Sequence, residues 1–311
     1  MKDLKVVFMG TPEFCVPVLE YLIDNCNVIG VVTQPDKEVG RKHILTYSPV
    51  KKKALEHNIK VIQPIKIRNE YEDIISLNPD IIVTCAYGQI IPSIILDAPR
   101  LGCINVHASL LPELRGGAPI HKAIIYGYKK TGITIMYMDK GMDTGDMISK
   151  MEVEISNLDT AATLHDKLIK ASVKLLEKTL PSIVNGTNKR EKQDDSKATY
   201  AYNVSREEEH INFNNNALDI YNQIRGLNSW PGAYSNLEDK QVKIWSSTIC
   251  KKKFNSEPGT IEDIDKNGML ISTKDKSILI TEIQMPGKKK TKVKDFINGI
   301  KKEDYIGKCF N

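Results

Sequence analysis

The sequence predicts an α/β domain with a mostly parallel sheet and helices on both faces, followed by a smaller β-barrel-like domain. Three observations carry that prediction. Short, continuous apolar runs recur through the first half, as strands buried on both faces require. Segments with helical spacing lie between them, so strand and helix alternate. After residue 205 the pattern changes to short strand-like runs with Gly and Asn-Gly punctuation.

Residues 4–9 form the first strand and end at Gly10; residues 14–24 have helical spacing. Residues 28–33 form a second strand and run into the polar segment QPDKEVGRK. A helix follows over 50–57, a short strand over 60–63 before Pro64, a helix over 71–77 and a buried strand over 80–86. Residues 103–107 are a strand, 120–126 a helix and 133–138 a strand. Over 160–180, Leu164, Leu168, Ala171, Leu175 and Leu176 repeat at helical spacing. Residues 185–199 hold almost no apolar side chain and read as a connector. Beyond it come a helical patch at 217–225 and strands at 241–245, 259–264, 269–272 and 277–284. The division expected is 1–188 for the first domain, 189–205 for a linker and 206–311 for the second.

Bulk properties narrow the function. The 311 residues suffice for two domains, and 41% hydrophobic against 27% charged residues is a soluble balance. No apolar run approaches the roughly 18 residues that span a membrane. The N-terminus enters a strand directly, without a signal-peptide pattern, so a cytoplasmic location is expected. The six cysteines are scattered, with no CxxC pair or Cys/His cluster; they read as reduced thiols in or near the core, and no metal site is expected. A net charge of +5 permits a nucleic-acid partner without demanding one. The segment Gly10-Thr11-Pro12 lacks the GxGxxG pattern, so no dinucleotide signal is present.

The chemistry gathers in NVHASLLPELRGGAPI, residues 105–120. Asn105 and His107 stand two apart at a strand end, so both side chains leave the same side of the backbone. The amide can donate hydrogen bonds and the imidazole can exchange a proton. The next strand runs into DKGMDTGDM, which offers Asp139, Asp143 and Asp146 between glycines that allow tight turns. In a parallel sheet both groups would lie at carboxyl strand ends, where ligands bind. A satisfied hydrogen-bonding pair and a solvated acidic turn are the bland alternatives. The residues alone leave acyl or one-carbon transfer, hydrolysis and proton transfer open.

The run from Asn105 resembles the signature of formyltetrahydrofolate-dependent formyltransferases: Asn-x-His, Ser-Leu-Leu-Pro, then Arg-Gly. TGITIMYMDKGMDTGDMI resembles the second block of that family. VVFMGTPEFCVPVLEYL, TQPDKEVGRK with SPVK, AYGQIIP, NSWPGAY and VKIW resemble its methionyl-tRNA-directed branch, so the likeness covers nearly the whole chain in order. The fold implied is Rossmann-like with an OB-like second domain. The activity implied is transfer of a formyl group from 10-formyltetrahydrofolate to the α-amine of methionine on initiator methionyl-tRNA, for translation initiation, by a monomer without a metal. Carried over by position, Asn105 matches the oxyanion-stabilising Asn, His107 the catalytic His, and Asp143, by its place in GMDTGD, the family's Asp. Ser109, Leu110, Leu111 and Pro112 match the folate-contacting run. Tyr87, Gly88, Gln89 and Ile90 lie where relatives hold the pterin. For tRNA, likeness and charge together point to Arg41 and Lys42, to Lys251, Lys252 and Lys253, and to Lys288, Lys289 and Lys290.

Three positions depart from the pattern. His43 and Ile44 follow Arg41-Lys42 where relatives carry further Gly and Lys, and Ala108 stands where Gly is common. The nearest rival is a sugar-nucleotide N-formyltransferase, which shares the catalytic block; the basic loop after Gln34 speaks against it. A non-catalytic RNA-binding protein is a rival of another class, and the intact Asn105, His107 and Asp143 speak against that.

Overall fold

In the computed structural model, residues 1–39 and 43–311 are described. The chain forms two compact units. One holds Met1–Pro119, Lys130–Glu154 and His165–Tyr202; the other holds Ile120–Lys129, Ile155–Leu164 and Asn203–Asn311.

The strands of the first unit are β1 (Lys5–Gly10), β2 (Asn27–Val32), β3 (Lys37–Val39), β4 (Ile44–Thr46), β5 (Val61–Ile62), β6 (Ile81–Cys85), β7 (Cys103–His107), β8 (Lys130–Tyr137) and β9 (Met147–Glu154). Seven of them form one sheet in the order β5-β2-β1-β6-β7-β8-β9. The five from β5 to β7 are parallel. Every residue of β6 is buried, and so are Val6 to Gly10 of β1. That two-sided burial is why these strands read as unbroken apolar runs. Helices α1 (Val16–Asn25), α2 (Pro49–Glu56) and α3 (Glu72–Ile75) fall close to the predicted segments, whereas α4 (Ser93–Leu96) was not expected. Ser48 caps α2 by accepting from the Lys51 N–H, and Pro49 opens the helix where its missing N–H costs nothing.

Two features of this unit differ from the sequence expectation. First, β8 runs antiparallel to β7, and β9 antiparallel to β8. A parallel strand would need a crossover helix packed back on the sheet. The intervening helix α5 (Pro119–Ile125) belongs, from Ile120 on, to the second unit. Second, β9 and the β3–β4 hairpin were not expected as strands. The hairpin pairs Lys37 with Thr46 and Val39 with Ile44.

Helix α6 (Ala161–Val184) has the predicted period. Its Leu168, Ala171, Leu175, Leu176 and Leu180 are buried. The polar stretch after it is not loose. Residues 189–202 belong to the first unit, and Glu191 exchanges two backbone hydrogen bonds with Met147. All six cysteines are free thiols, with Cys15, Cys26, Cys85 and Cys103 buried.

In the second unit a capping box, Ser205 with Glu208, starts α7 (Arg206–Glu209), and α8 (Ala217–Gly226) follows. Then come β10 (Ala233–Leu237), β11 (Lys240–Cys250), β12 (Ile261–Asp265), β13 (Gly268–Ser272), β14 (Ser277–Gln284), β15 (Thr291–Lys292) and α9 (Val293–Phe296). The sheet is antiparallel throughout, in the order β10-β11-β14-β13-β12, with β15 on β14. Ile220, Ile224, Val242, Ile244, Ile271 and Ile280 are among its core. The ladder is open between β12 and β10, and the chain's last residues span that gap. Ile261 N–H donates to Lys308, Phe310 N–H to Gly259, and Asn236 and Asn311 exchange bonds.

Candidate active site

β7 presents Asn105 and His107 on one side of the strand, His107 only 6% exposed. Thr84, paired with Asn105 across β6 and β7, sets the amide. Its hydroxyl lies 3.0 Å from both Asn105 Oδ1 and the Ile104 carbonyl, two acceptors for one proton, and with Oδ1 on that side Nδ2 turns the other way. Nδ2 lies 3.4 Å from Asp143 Oδ1. The His107 ring is held by the Leu114 carbonyl, 3.1 Å from Nε2. Leu114 has φ 58, a left-handed conformation, and its N–H donates to Thr199 Oγ1 at 2.9 Å.

Asp143 closes the group from across the sheet. Because β8 is antiparallel, its end lies beside Ile104, at the start of β7, not beyond His107. The acidic loop therefore arrives from the other end of the strand, and the expectation of two neighbouring carboxyl strand ends is corrected. Asp143, at φ 54, directs Oδ2 at the Gly116 N–H, 2.8 Å away. The same oxygen is 3.7 Å from His107 Nδ1. That is an ion-pair distance and too long for a direct hydrogen bond. Asp139 instead accepts from Gly141 N–H and Thr144 Oγ1, shaping its own loop. Asp146 pairs with Arg190. A Cβ at Gly145 would stand 1.9 Å from the Tyr137 carbonyl oxygen, so only glycine permits this close turn.

The folate-assigned residues divide by role in the fold. Ser109 is buried and donates to the Glu113 carbonyl, and Leu111 is buried with its N–H on Thr134. Leu110 and Pro112 are half-buried. Tyr87 is a core residue whose carbonyl accepts from Thr11 and Gln34, tying together the ends of β1, β2 and β6. Burial, and then the Glu70 carboxylate, pushes its phenol well above the usual range. Gly88 has φ 89. The Gln89 side chain bonds to Gln34, Pro64, Ile65 and Ile67. Ile90 is 88% exposed.

Of the tRNA-assigned residues, Arg41 and Lys42 lie outside the described residues. Lys251, Lys252 and Lys253 are exposed, with Lys252 over the Phe254 ring. Lys288, Lys289 and Lys290 are also exposed; Lys290 pairs with Glu282 and stands 5.1 Å above the Trp245 ring.

Sequence reasoning missed Thr84, Gly116 and Gln193 as parts of this site. A Thr in a buried strand and a Gln in a polar stretch carry no local signal. Only the Arg-Gly of the motif pointed toward Gly116.

No group of three or more His, Cys, Asp or Glu that could hold a metal occurs among the described residues. None of their helices is long and apolar enough to cross a membrane. The sequence matches the Formyl transferase family over residues 4–180 and the C-terminal domain of formyl transferases over 203–301. The chain belongs to the formyl transferase family. Within that family it is 53% identical over 299 residues to a methionyl-tRNA formyltransferase of Bacillus subtilis, covering 95% of this chain and 94% of that one. It is 53% identical over 311 residues to the Bacillus velezensis methionyl-tRNA formyltransferase, covering 98% of each. Solved formyl transferases share the fold at low identity. The N-formyltransferase from Helicobacter canadensis, in complex with folinic acid and dTDP-3-aminofucose, gives a TM-score of 0.67 at 22% identity, over 92% of this chain and 100% of that one. The methionyl-tRNA formyltransferase from Clostridium thermocellum gives 0.56 at 20%, over 80% and 95%.

Proposed function

We propose that this chain transfers the formyl group of 10-formyltetrahydrofolate to the α-amine of methionine on initiator methionyl-tRNA, the modification used in translation initiation. The observation that carries this reading is the convergence of Asn105 Nδ2 and His107 Nδ1 on the Asp143 carboxylate. The acceptor is argued from the identity of half the residues, over nearly the full chain, to methionyl-tRNA formyltransferases.

The roles follow from which atoms are already engaged. A carbonyl oxygen only accepts, so the proton of neutral His107 sits on Nε2, facing Leu114. Nδ1 keeps its lone pair and faces Asp143. The neutral amine attacks the formyl carbon, and the carbonyl oxygen becomes an oxyanion. Asn105 Nδ2, turned inward by Thr84, donates to that oxygen. Nδ1 takes a proton from the attacking nitrogen, and the imidazolium is stabilised by Asp143. The carbon–N10 bond then breaks, and the same proton passes to N10, leaving tetrahydrofolate. No protein nucleophile is needed.

In this reading the folate lies along residues 87–90 and 109–112, and the exposed lysines of the second unit hold tRNA phosphates as a monomer binds its substrate. The test is a formyl-transfer assay with 10-formyltetrahydrofolate and, separately, charged initiator methionyl-tRNA and a nucleotide-linked amino sugar. Formylation of the tRNA alone is expected. Turnover only with the amino sugar would replace this reading by sugar N-formyl transfer.

A further inference from the structure

Gln193 is a buried side chain in the polar stretch that reads as a connector, and every hydrogen-bonding position of its amide is used. Its Nε2 donates to two carbonyl oxygens of the acidic loop, Asp143 at 2.7 Å and Gly145 at 2.8 Å. Its Oε1 accepts from Arg115, 3.1 Å from Nε and 2.8 Å from Nη2. Arg115 is itself buried and fixed. Its backbone N–H donates to Thr199, its carbonyl accepts from Ala201, and Nη2 also meets Asp195 at 2.7 Å.

We propose that Gln193, locked in orientation by Arg115, is a positioning residue for Asp143. Two holds act on that one residue. Gln193 fixes its backbone carbonyl, while Gly116, the neighbour of Arg115, fixes its carboxylate. Asp143 needs both, because a non-glycine residue at φ 54 sits in a sparsely populated conformation that its surroundings must impose. Without the clamp the loop relaxes and Oδ2 leaves its place beside His107 Nδ1. The direction of the amide is decisive. Only NH2 can serve two carbonyls, and only the oxygen can serve a guanidinium. Arg115 thereby selects the one amide orientation that holds the loop.

The inference rests on the role given to Asp143 in the formyl-transfer reading, and its test separates the two. Gln193→Glu keeps size and the Arg115 partner but sets carboxylate oxygen against two carbonyls. Gln193→Ala removes the clamp without adding charge and covers the case in which the Glu variant folds poorly. Misplacing a group by about 1 Å costs on the order of 10- to 100-fold in rate. The kcat of both variants should fall by that range, with KM for 10-formyltetrahydrofolate within about twofold of the parent. In an Asp143→Asn background the Gln193 change should cost less than about twofold, since residues that act as a unit do not add. Trypsin cleavage after Lys140, an exposed residue of the same loop, should accelerate roughly 10-fold as the loop opens more often. This last readout needs no activity, so it tests the clamp even if the chain formylates a different acceptor. Unchanged cleavage at Lys140, or a Gln193 loss that persists in full beside Asp143→Asn, would overturn the proposal.

Discussion

Leu114 holds the His107 ring, with its carbonyl oxygen 3.1 Å from Nε2. In a neutral ring this contact puts the proton on Nε2 and leaves Nδ1, 3.7 Å from Asp143 Oδ2, as the proton acceptor of the proposed reaction. His107→Ala should lower kcat by roughly 10²–10⁴-fold, the usual worth of a general base. Asn105→Ala should cost on the order of 10²–10³-fold as an oxyanion donor is lost. Circular dichroism should match the parent in both. Near-normal turnover by either folded variant would remove that residue from the mechanism.

The three acids of the loop should separate cleanly. Asp143→Asn keeps the shape and removes the charge that faces His107, so kcat should fall on the order of 10²-fold. Asn at position 139 can still accept from Gly141 and Thr144, so Asp139→Asn should cost only a few-fold. Asp146 pairs with an Arg190 side chain that is 59% exposed, and such pairs contribute little. Initial rates at saturating folate decide the order. A larger loss at Asp146 than at Asp143 would reverse the choice among the acids.

Recognition of tRNA should depend on salt. Arg41→Ala should weaken use of charged tRNA far more than binding of folate, and the deficit should shrink at low ionic strength. Lys289→Ala, on the exposed run after β14, should weaken tRNA binding and lower the slope of log K against log salt by about 1 if it neutralises one phosphate. Initial rates and tRNA binding at two or more ionic strengths test both. A slope unchanged in Lys289→Ala would return that lysine to the solvated surface.

Asp80 couples the first sheet to pH. Its carboxylate accepts from the Lys5 N–H at 2.9 Å and from Arg100 Nε at 2.7 Å. These bonds, the backbone one foremost, hold its carboxyl below the usual range. A depressed carboxyl stabilises the folded state fully above its unfolded pKa of about 3.9, and that stabilisation disappears as pH falls through the folded value. The urea midpoint of Asp80→Asn should therefore lie below the parent's at pH 7, and the gap should narrow as pH falls below the unfolded value of about 3.9. A gap that stayed constant with pH would show that the charge of Asp80 contributes nothing.

Particular residues show how far the sequence could be read. The parallel strands were legible because residues of β1 and β6 are buried on both faces and carry unbroken apolar runs. The long helix α6 was legible from its 3.6-residue period. Asn105 and His107 were legible as a pair because strand alternation puts i and i+2 on one side. The folding-back of 108–116 over His107 was not legible, because Leu114 reads as an ordinary apolar residue and its left-handed backbone leaves no trace in composition. Nor was the anchoring of 185–199 legible: a polar side chain looks the same whether it meets water or, like Gln193, a buried guanidinium.

The sequence by itself determined where most strands and helices of regular period occur, and that Asn105 and His107 share one side of a strand. Tertiary structure alone decided that β8 runs against β7, that Asp143 reaches the pair from the far end of the strand, and that Arg115 and Gln193 clamp its loop. The physical reason is range. Periodicity records which face of a local element is buried, a property of residues a few positions apart. Strand direction and the partner of a buried polar group depend on contacts between segments tens of residues apart, such as Arg115 with Gln193, which only the packed chain brings together.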